Sequence, residues 1–508
     1  MREYIISVAD PSVWDTLWDE LTVDGLGDNF IPTRAVQVLN DRPFNDYQAH
    51  FNLTDAEADL IRKDPRIQTI ELQADLRTNV YKKFNTIRHG IYDKSFSINN
   101  TMKNWGLIRA SSEANPFGAL TALETDFNTH DLEGEGVDLV VVDTGVEAGH
   151  PEFAVNADGT GGSRVIDFNW ASLGVSGCPT SAQVNGYLGD ADGHGSNCAS
   201  IAAGNTCGWA SKANIYSIRI FSGYSIRTGQ YLPAINSDIA YDLVRAFHLK
   251  KIQDGITRPT VCTNSWGYYA TYSGITATYW RGMLYPGGSG ATYGQVNYYH
   301  PYSGIEYLNN SVDNCAAAGV ILCGAAGNYR HKVDKPGGID YNNYWVYGNN
   351  VENIYYHRGM SPTCAPSMIN VGALDNASID QKVYFSETGP RVDVYSPGVM
   401  IMGAYANKSY QTVAVQDPRA SGYYLNKISG TSQATPQVAG VVCCLMSVRP
   451  NATTDQVKAW LYDQSTKNAL VEGNDTSYSS SNCLQGAENR LLRKPFNKSS
   501  LRGWMSST

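Results

Sequence analysis

The hydrophobic rhythm of this 508-residue chain changes character along its length. Residues 4–8 are strand-like, residues 11–21 place Val13, Leu17 and Leu21 on one helical face, and residues 35–39 are again strand-like. A Thr/Asp cap opens a helix over 54–63, and 67–72 form a last strand. Two helices against one small sheet make a compact βαββαβ-like α+β module. Residues 78–103 are polar without a sustained period and read as a linker. From residue 137 the pattern becomes that of a large α/β domain. Runs at 137–142, 215–220, 259–263, 320–325 and 368–373 are apolar enough for central parallel strands, with helical stretches around 196–203, 236–250, 310–318 and 433–447. Strands alternating with helices imply a three-layer arrangement, a parallel sheet covered on both faces, whose site lies at the carboxyl ends of the strands.

The last of those helices is apolar on every side from Val438 to Met446 and reads as a core helix. Gly430-Thr431-Ser432-Gln433-Ala434-Thr435-Pro436 leads into it. A helix start leaves backbone N–H groups unpaired and carries partial positive charge, so a serine there sits beside donors able to stabilise an oxyanion. Pro436 fits the first turn, where its missing N–H costs little. Taken alone, the heptapeptide is equally an ordinary cap on a buried helix.

Composition narrows the classes. Charged residues make up 17% of the chain and the net charge is −9, with no basic block, which argues against a nucleic-acid partner. The acidity is local: residues 1–77 hold 15 Asp/Glu and 7 Lys/Arg, a net of −8, leaving −1 for the rest. No apolar run approaches the roughly 18 residues that span a bilayer, and no signal-peptide core precedes Asp10, so the expectation is a soluble protein without a membrane partner. That places it in the cytoplasm, or in a virion or host cell if viral, with non-classical release as the other route. The ten cysteines fall mostly in apolar segments and read as reduced, buried thiols; none has zinc-site spacing.

Three further segments put reactive groups at strand or helix ends. The 137–142 run ends in Asp143-Thr144-Gly145, Asp192-Gly193-His194-Gly195-Ser196 sets an imidazole between glycines, and Gly324-Ala325-Ala326-Gly327-Asn328 closes a buried strand with a side-chain amide. An aspartic protease also uses Asp-Thr-Gly, but needs two such carboxylates, and the chain carries no second Asp-Thr-Gly or Asp-Ser-Gly. The order Asp, His, Ser is the one the subtilisin type of serine hydrolase uses.

These residues resemble the subtilase (subtilisin-like, peptidase S8) family of serine proteases, and within it the proteinase K branch. The resemblance is carried by Asp143-Thr144-Gly145-Val146-Glu147-Ala148-Gly149-His150-Pro151-Glu152-Phe153, by His194-Gly195-Ser196-Asn197-Cys198-Ala199, by Ala326-Gly327-Asn328 and by Gly430 to Pro436. Asn104-Trp105-Gly106-Leu107-Ile108-Arg109 resembles the start of the family's mature domain, and residues 60–71 the end of its inhibitor I9-like propeptide. The resemblance implies an α/β subtilisin-like domain over 104–497, with a tail at 498–508. It is preceded by a ferredoxin-like inhibitory and chaperone propeptide at 1–77 and a linker with the processing region at 78–103.

The implied activity is peptide-bond hydrolysis by an autoprocessed zymogen, with a polypeptide substrate and the propeptide as intramolecular inhibitor. Ser432 would be the nucleophile, His194 the proton carrier and Asp143 its orienting carboxylate. The oxyanion would lie between the Asn328 amide and the Ser432 N–H. Ser265, Trp266 and Gly267 would face Gly324, Ala325 and Ala326 across the specificity pocket, with Trp266, where the family often has Leu, narrowing the cleft. No cofactor is required for the chemistry. Asp393 aligns with a family calcium ligand, with the Pro366 and Met368 carbonyls as partners, although one carboxylate is a thin share of six to eight oxygens. His150 and Cys198 read as packing residues. Three segments lack a counterpart: 268–308, with ten of the 33 tyrosines, 330–360 and 401–427. The first two follow pocket walls, and either rim the cleft or decorate the surface. A catalytically silent binding protein, or another acyl-transfer enzyme with the same triad, are the alternative functions. The oligomeric state is not legible.

Overall fold

The computed structural model describes residues 1–23, 34–42, 47–77, 80–84, 105–115, 132–180, 188–225, 227–270, 275–286, 304–347, 353–375, 379–405, 414–472 and 483–494. The N-terminal module has the expected arrangement. Arg2–Val8 is central in an antiparallel sheet, flanked by Gln48–Leu53 and Ile67–Leu72, with Gln37–Asn40 at the far edge. This ferredoxin-like order packs under helices Trp14–Thr22 and Asp55–Ile61 around Ile6, Leu17, Leu21, Phe51 and Ile61. The sequence pattern does not single out Gln48–Leu53, because Gln48 and His50 interrupt the apolar period. Both are buried, since Gln48 donates to Ser311 Oγ at 2.9 Å and the Tyr307 carbonyl at 3.3 Å, while His50 meets Glu3 at 2.6 Å.

The large domain is built on an eight-stranded sheet. Its order is Thr466–Lys467, Arg490–Leu491, Val394–Pro397, Ile369–Leu374, Ile321–Ala325, Thr260–Asn264, Asp138–Asp143 and Asn214–Arg219. All neighbours pair in parallel except the first two. Helices cover both faces, with one core around Leu139, Val141, Val438 and Val442 and the other around Val140, Val142, Val244 and Leu322. A strand buried on both faces reads as a continuous apolar run, which is why the central members are recognisable in the sequence. Among the described residues no helix is long and apolar enough to cross a membrane, and none of the ten cysteines is in a disulfide.

The two Tyr-rich insertions meet. Met283–Pro286, Ile275–Trp280, Tyr344–Tyr347 and Asn353–Tyr355 form one antiparallel sheet in that order. Tyr279 stacks on Tyr344 with centroids 4.7 Å apart, and Arg281 pairs with buried Asp340 at 2.7 Å. The 401–427 segment is less peripheral than its polar composition suggests. Its strand Ile401–Tyr405 is buried, and the Ala404 N–H donates to Ser200 Oγ of the helix that carries His194.

The linker reading of 78–103 is corrected at Val80–Phe84, which forms a strand antiparallel to Trp266–Ala270, in register from Trp266 opposite Phe84 to Ala270 opposite Val80. Backbone pairing, which needs no hydrophobic period, supplies the order. Residues 85–104, most of the expected processing region, lie outside the described residues, as does the 498–508 tail.

Candidate active site

Asp143 is the last residue of its strand, so its carboxylate stands at the sheet's carboxyl edge. His194 opens helix His194–Ala203 at the same edge. The approach is close because Gly195 has no side chain: a Cβ there would overlap the Gly145 carbonyl. His194 Nδ1 lies 2.7 Å from Asp143 Oδ1, and both groups are buried, at 2% and 1% exposure. Burial would lower the imidazole, but the Asp143 carboxylate, together with Cys198, raises it, and the net effect holds His194 well above its ordinary value. Cys198 sits beneath the ring, its sulfur 3.8 Å from Nδ1; burial pushes the thiol up, so it packs as a neutral group. His150 is structural too, since its Nε2 donates to the Tyr424 carbonyl at 2.8 Å and Nδ1 accepts from the Glu152 N–H.

A residue missed in the sequence ties Asp143 to His194. Buried Asp190 accepts through Oδ1 from Thr144 Oγ1 at 2.7 Å and from the Asp192 and Gly193 N–H groups at 3.0 and 2.8 Å. Through Oδ2 it accepts from the Ser196 N–H and hydroxyl at 2.8 and 2.7 Å. One carboxylate thus caps the histidine helix and anchors the residue after Asp143. The signal available in the sequence is a carboxylate just ahead of a helix start.

Ser432 is the second residue of helix Thr431–Met446, every residue of which is buried. Pro436 therefore lies in the second turn, a correction to its expected place in the first. Its ring removes the N–H that would bond the Ser432 carbonyl four residues earlier. That carbonyl instead accepts from Ser265 Oγ at 2.9 Å and from Cys198 Sγ at 3.5 Å. The proline thus frees one acceptor that joins the Ser432 turn to Ser265 and to the helix of His194. Ser432 Oγ in turn donates to the Ser265 carbonyl at 2.8 Å.

Asn328 lies three residues beyond strand Ile321–Ala325. Its Oδ1 accepts from the Thr431 N–H at 3.0 Å and the Thr431 hydroxyl at 2.9 Å. An amide whose oxygen is engaged in this way presents its NH₂ on the opposite edge. The two segments expected to wall the pocket lie at the ends of adjacent strands: Asn264 pairs with Gly324, so Ser265-Trp266-Gly267 follows one strand beside the end of the other at Gly324-Ala325-Ala326. Trp266 is fully buried, edge-on to Phe221 and Tyr268. Met360, which sequence reasoning passed over, fills the space against Gly267 so closely that a Cβ there would overlap its sulfur.

The calcium expectation is corrected by the charges around it. Asp393, Pro366 and Met368 converge, but on two cations. Asp393 Oδ2 accepts from Arg391 Nη1 at 2.8 Å, and Arg391 Nη2 donates to the Ala365 and Met368 carbonyls at 2.6 and 2.9 Å. Lys458 Nζ donates to the Pro366 carbonyl at 2.9 Å and stands 3.8 Å from Asp393. Burial would raise the Asp393 carboxyl, yet Arg391 and Lys458 hold it below its ordinary value. A divalent cation would meet two positive charges and oxygens already bonded, so these residues do not fit calcium.

The family model described as Peptidase_S8, the subtilase family, matches residues 134–484. The chain is 26% identical over 441 residues to the subtilisin-like serine protease Pen ch 18 of Penicillium rubens, covering 84% of this chain and 65% of that protein. It is 26% identical over 420 residues to the cuticle-degrading protease of Metarhizium anisopliae, covering 83% and 76%. The chain thus spans just under two thirds of the length of the first of these relatives. Among solved structures, fervidolysin from Fervidobacterium pennivorans, a keratinolytic enzyme related to subtilisin, aligns with a TM-score of 0.53 at 17% identity, over 96% of this chain and 60% of that one, which shows a shared fold. The Penicillium and Metarhizium proteases correct the expected location. They are fungal proteases, one named for degrading cuticle, and they point to an extracellular protein, not a cytoplasmic or viral one. The matched span runs through the strand of Asp143, the helix of His194, the loop of Asn328 and the helix of Ser432, and the chain belongs to the subtilase family.

Proposed function

We propose that this chain is a serine endopeptidase made as an autoprocessed zymogen, with Ser432, His194 and Asp143 as its triad and Asn328 as oxyanion donor. The observation that carries the reading is the buried 2.7 Å contact between Asp143 and His194 beside a serine in the first turn of a core helix. Asp143 fixes the imidazole with Nδ1 protonated, leaving Nε2 to take the serine proton. The Ser432 hydroxyl turns from the Ser265 carbonyl to that nitrogen and attacks the scissile carbonyl. The Asn328 NH₂ and the Ser432 N–H receive the oxyanion; losing such a donor costs about 3 kcal/mol of barrier. His194 returns the proton to the leaving amine, and water repeats the cycle on the acyl-enzyme.

The N-terminal module acts as the inhibitor. Arg42, 1% exposed, donates to Asp242 at 2.9 and 3.0 Å, to the Asp238 carbonyl at 2.8 Å and to Ser311 Oγ at 2.9 Å. Glu71 accepts from the Tyr307 N–H at the start of helix Glu306–Ala317. Docking thus relies on a buried basic residue more than on the module's acidic excess. Strand Val80–Phe84 then adds to Trp266–Ala270 as a substrate backbone would, so the inhibitory strand lies beyond residue 77. Intact-mass analysis of wild type and Ser432→Ala tests the reading. Wild type is expected to cut itself between Asp75 and Asn104 and to react with a fluorophosphonate, and the variant to do neither. An uncut, unlabelled wild type would remove it.

A further inference from the structure

The Asn328 amide is held from two sides. Thr431 takes its oxygen on one side. On the other side stands Glu387, a fully buried glutamate that the triad does not use. Its N–H donates to the Gly327 carbonyl at 3.1 Å, and its Oε1 accepts from the Tyr329 N–H at 2.7 Å. One residue therefore grips the peptide units immediately before and after Asn328. Gly327 and Arg330 both take left-handed backbone angles, φ 121° and 65°, outside any regular element, so the loop's shape depends on such tertiary contacts.

The grip is anchored. Ser386 Oγ donates to the Glu387 carbonyl at 3.0 Å and accepts from the Ala373 N–H at 2.9 Å, tying Glu387 to strand Ile369–Leu374. On either side the two segments zip together, through the Arg330 N–H to the Phe385 carbonyl at 3.1 Å and the Thr388 N–H to the His331 carbonyl at 3.0 Å. Yet Glu387 is an expensive residue to keep here. Its Oε2 has no hydrogen-bond partner, and no Lys or Arg side chain pairs with the carboxyl among the described residues. Burial pushes the carboxyl well above its ordinary range, so it serves as a neutral acceptor. A residue that only filled space would be better apolar.

We propose that Glu387 is a positioning residue for the oxyanion donor, holding Asn328 in place by clamping Gly327 and Tyr329. The proposal rests on the reading of Asn328 as that donor. The clamp matters in the transition state, where a displacement of about 1 Å weakens a donor aimed at the developing charge, and matters little to ground-state binding.

The test is kinetic, with active sites counted by fluorophosphonate titration and a small chromogenic peptide as substrate. Glu387→Ala is expected to lower kcat at least tenfold with KM changed less than twofold. Glu387→Gln, which keeps a carbonyl for the Tyr329 N–H, is expected to stay within about threefold of wild type. A purely structural role would lower the fraction of titratable enzyme without changing kcat per site. If Glu387→Ala does not fold, Glu387→Asp withdraws the acceptor by one methylene and is read the same way. In an Asn328→Ala background the Glu387 change is expected to alter kcat less than twofold. Wild-type kcat in Glu387→Ala, or its full effect persisting in that background, overturns the clamp and leaves Asn328 standing. Wild-type kcat in Asn328→Ala alone overturns the oxyanion reading and the clamp with it.

Discussion

Replacing Arg391 by Ala tests whether an internal guanidinium does structurally what the resemblance assigned to a metal ion. Arg391 is 6% exposed and makes four contacts through Nη1 and Nη2: to Asp393 and to the carbonyls of Ala365, Met368 and, at 3.4 Å, Thr363. Removing it strands a buried carboxylate, which costs about 3–5 kcal/mol. The lower end applies, because Asp393 keeps the Asn370 N–H at 2.9 Å, the Tyr462 hydroxyl at 2.6 Å and Lys458 at 3.8 Å. At roughly 2 °C per kcal/mol for a large domain, the melting midpoint should fall by about 6 °C. The space vacated is lined by one carboxylate and several carbonyl oxygens, the hard ligand set calcium prefers. Millimolar calcium should therefore restore part of the loss in the variant and a chelator should deepen it, while neither moves the parent. Thermal melts in a Ser432→Ala background, at one scan rate, exclude self-digestion. A parent that loses stability to chelator, or a variant as stable as its parent, refutes the reasoning.

His194 sits above its ordinary value, so the neutral form that acts as base is lost as pH falls, and kcat/KM should rise with pH through a midpoint above 6.5; a midpoint at about 6 or below contradicts the Asp143 assignment. Asp143→Asn should cost about 10⁴ in kcat by admitting the wrong tautomer, measured against titrated sites. Lys382 is 2% exposed, donates among the described residues to the Val383 and Ser386 carbonyls, and burial lowers it to about 7. Between about pH 7 and 10 the unfolded chain then binds the extra proton, so this group makes stability rise with pH, and Lys382→Met should stabilise by roughly 2–5 kcal/mol at pH 7, with the gain fading toward pH 10. A gain that does not vary with pH in denaturant titrations would contradict this. Arg42→Ala leaves Asp242 buried without its guanidinium and should loosen the N-terminal module, seen as a shorter lag between self-cleavage and activity; an unchanged lag argues against Arg42 as the anchor.

The parts of the molecule legible in the sequence are those where a local pattern and the tertiary demand coincide. Strand Asp138–Asp143 is apolar because both faces are covered, and helix Thr431–Met446 because it is surrounded. Asp143, His194, Asn328 and Ser432 stand at chain-local boundaries, each just inside or just past an element. What stays hidden depends on distant partners. Strand Gln48–Leu53 opens on Gln48, which is satisfied by Ser311 and Tyr307, more than 250 positions away. Val80–Phe84 is a strand because Trp266–Ala270 offers an edge. Asp190 acts through backbone N–H groups that composition does not display, and the acceptor role of Glu387 exists only where its segment meets the Asn328 loop. The calcium expectation fails for a related reason: the alignment of Asp393 is visible in the sequence, but the cation two residues earlier becomes a rival only in three dimensions.

The sheet shared by the two tyrosine-rich insertions has a consequence for engineering the chain. Tyr344–Tyr347 lies between Ile275–Trp280 and Asn353–Tyr355, so removing the first insertion alone would bare an edge of hydrogen-bonding groups and strand Asp340 without Arg281. The two segments, far apart in the sequence, are a single structural unit. They should be removed or transplanted together, and a truncation of one reports on the other's collapse as much as on its own role.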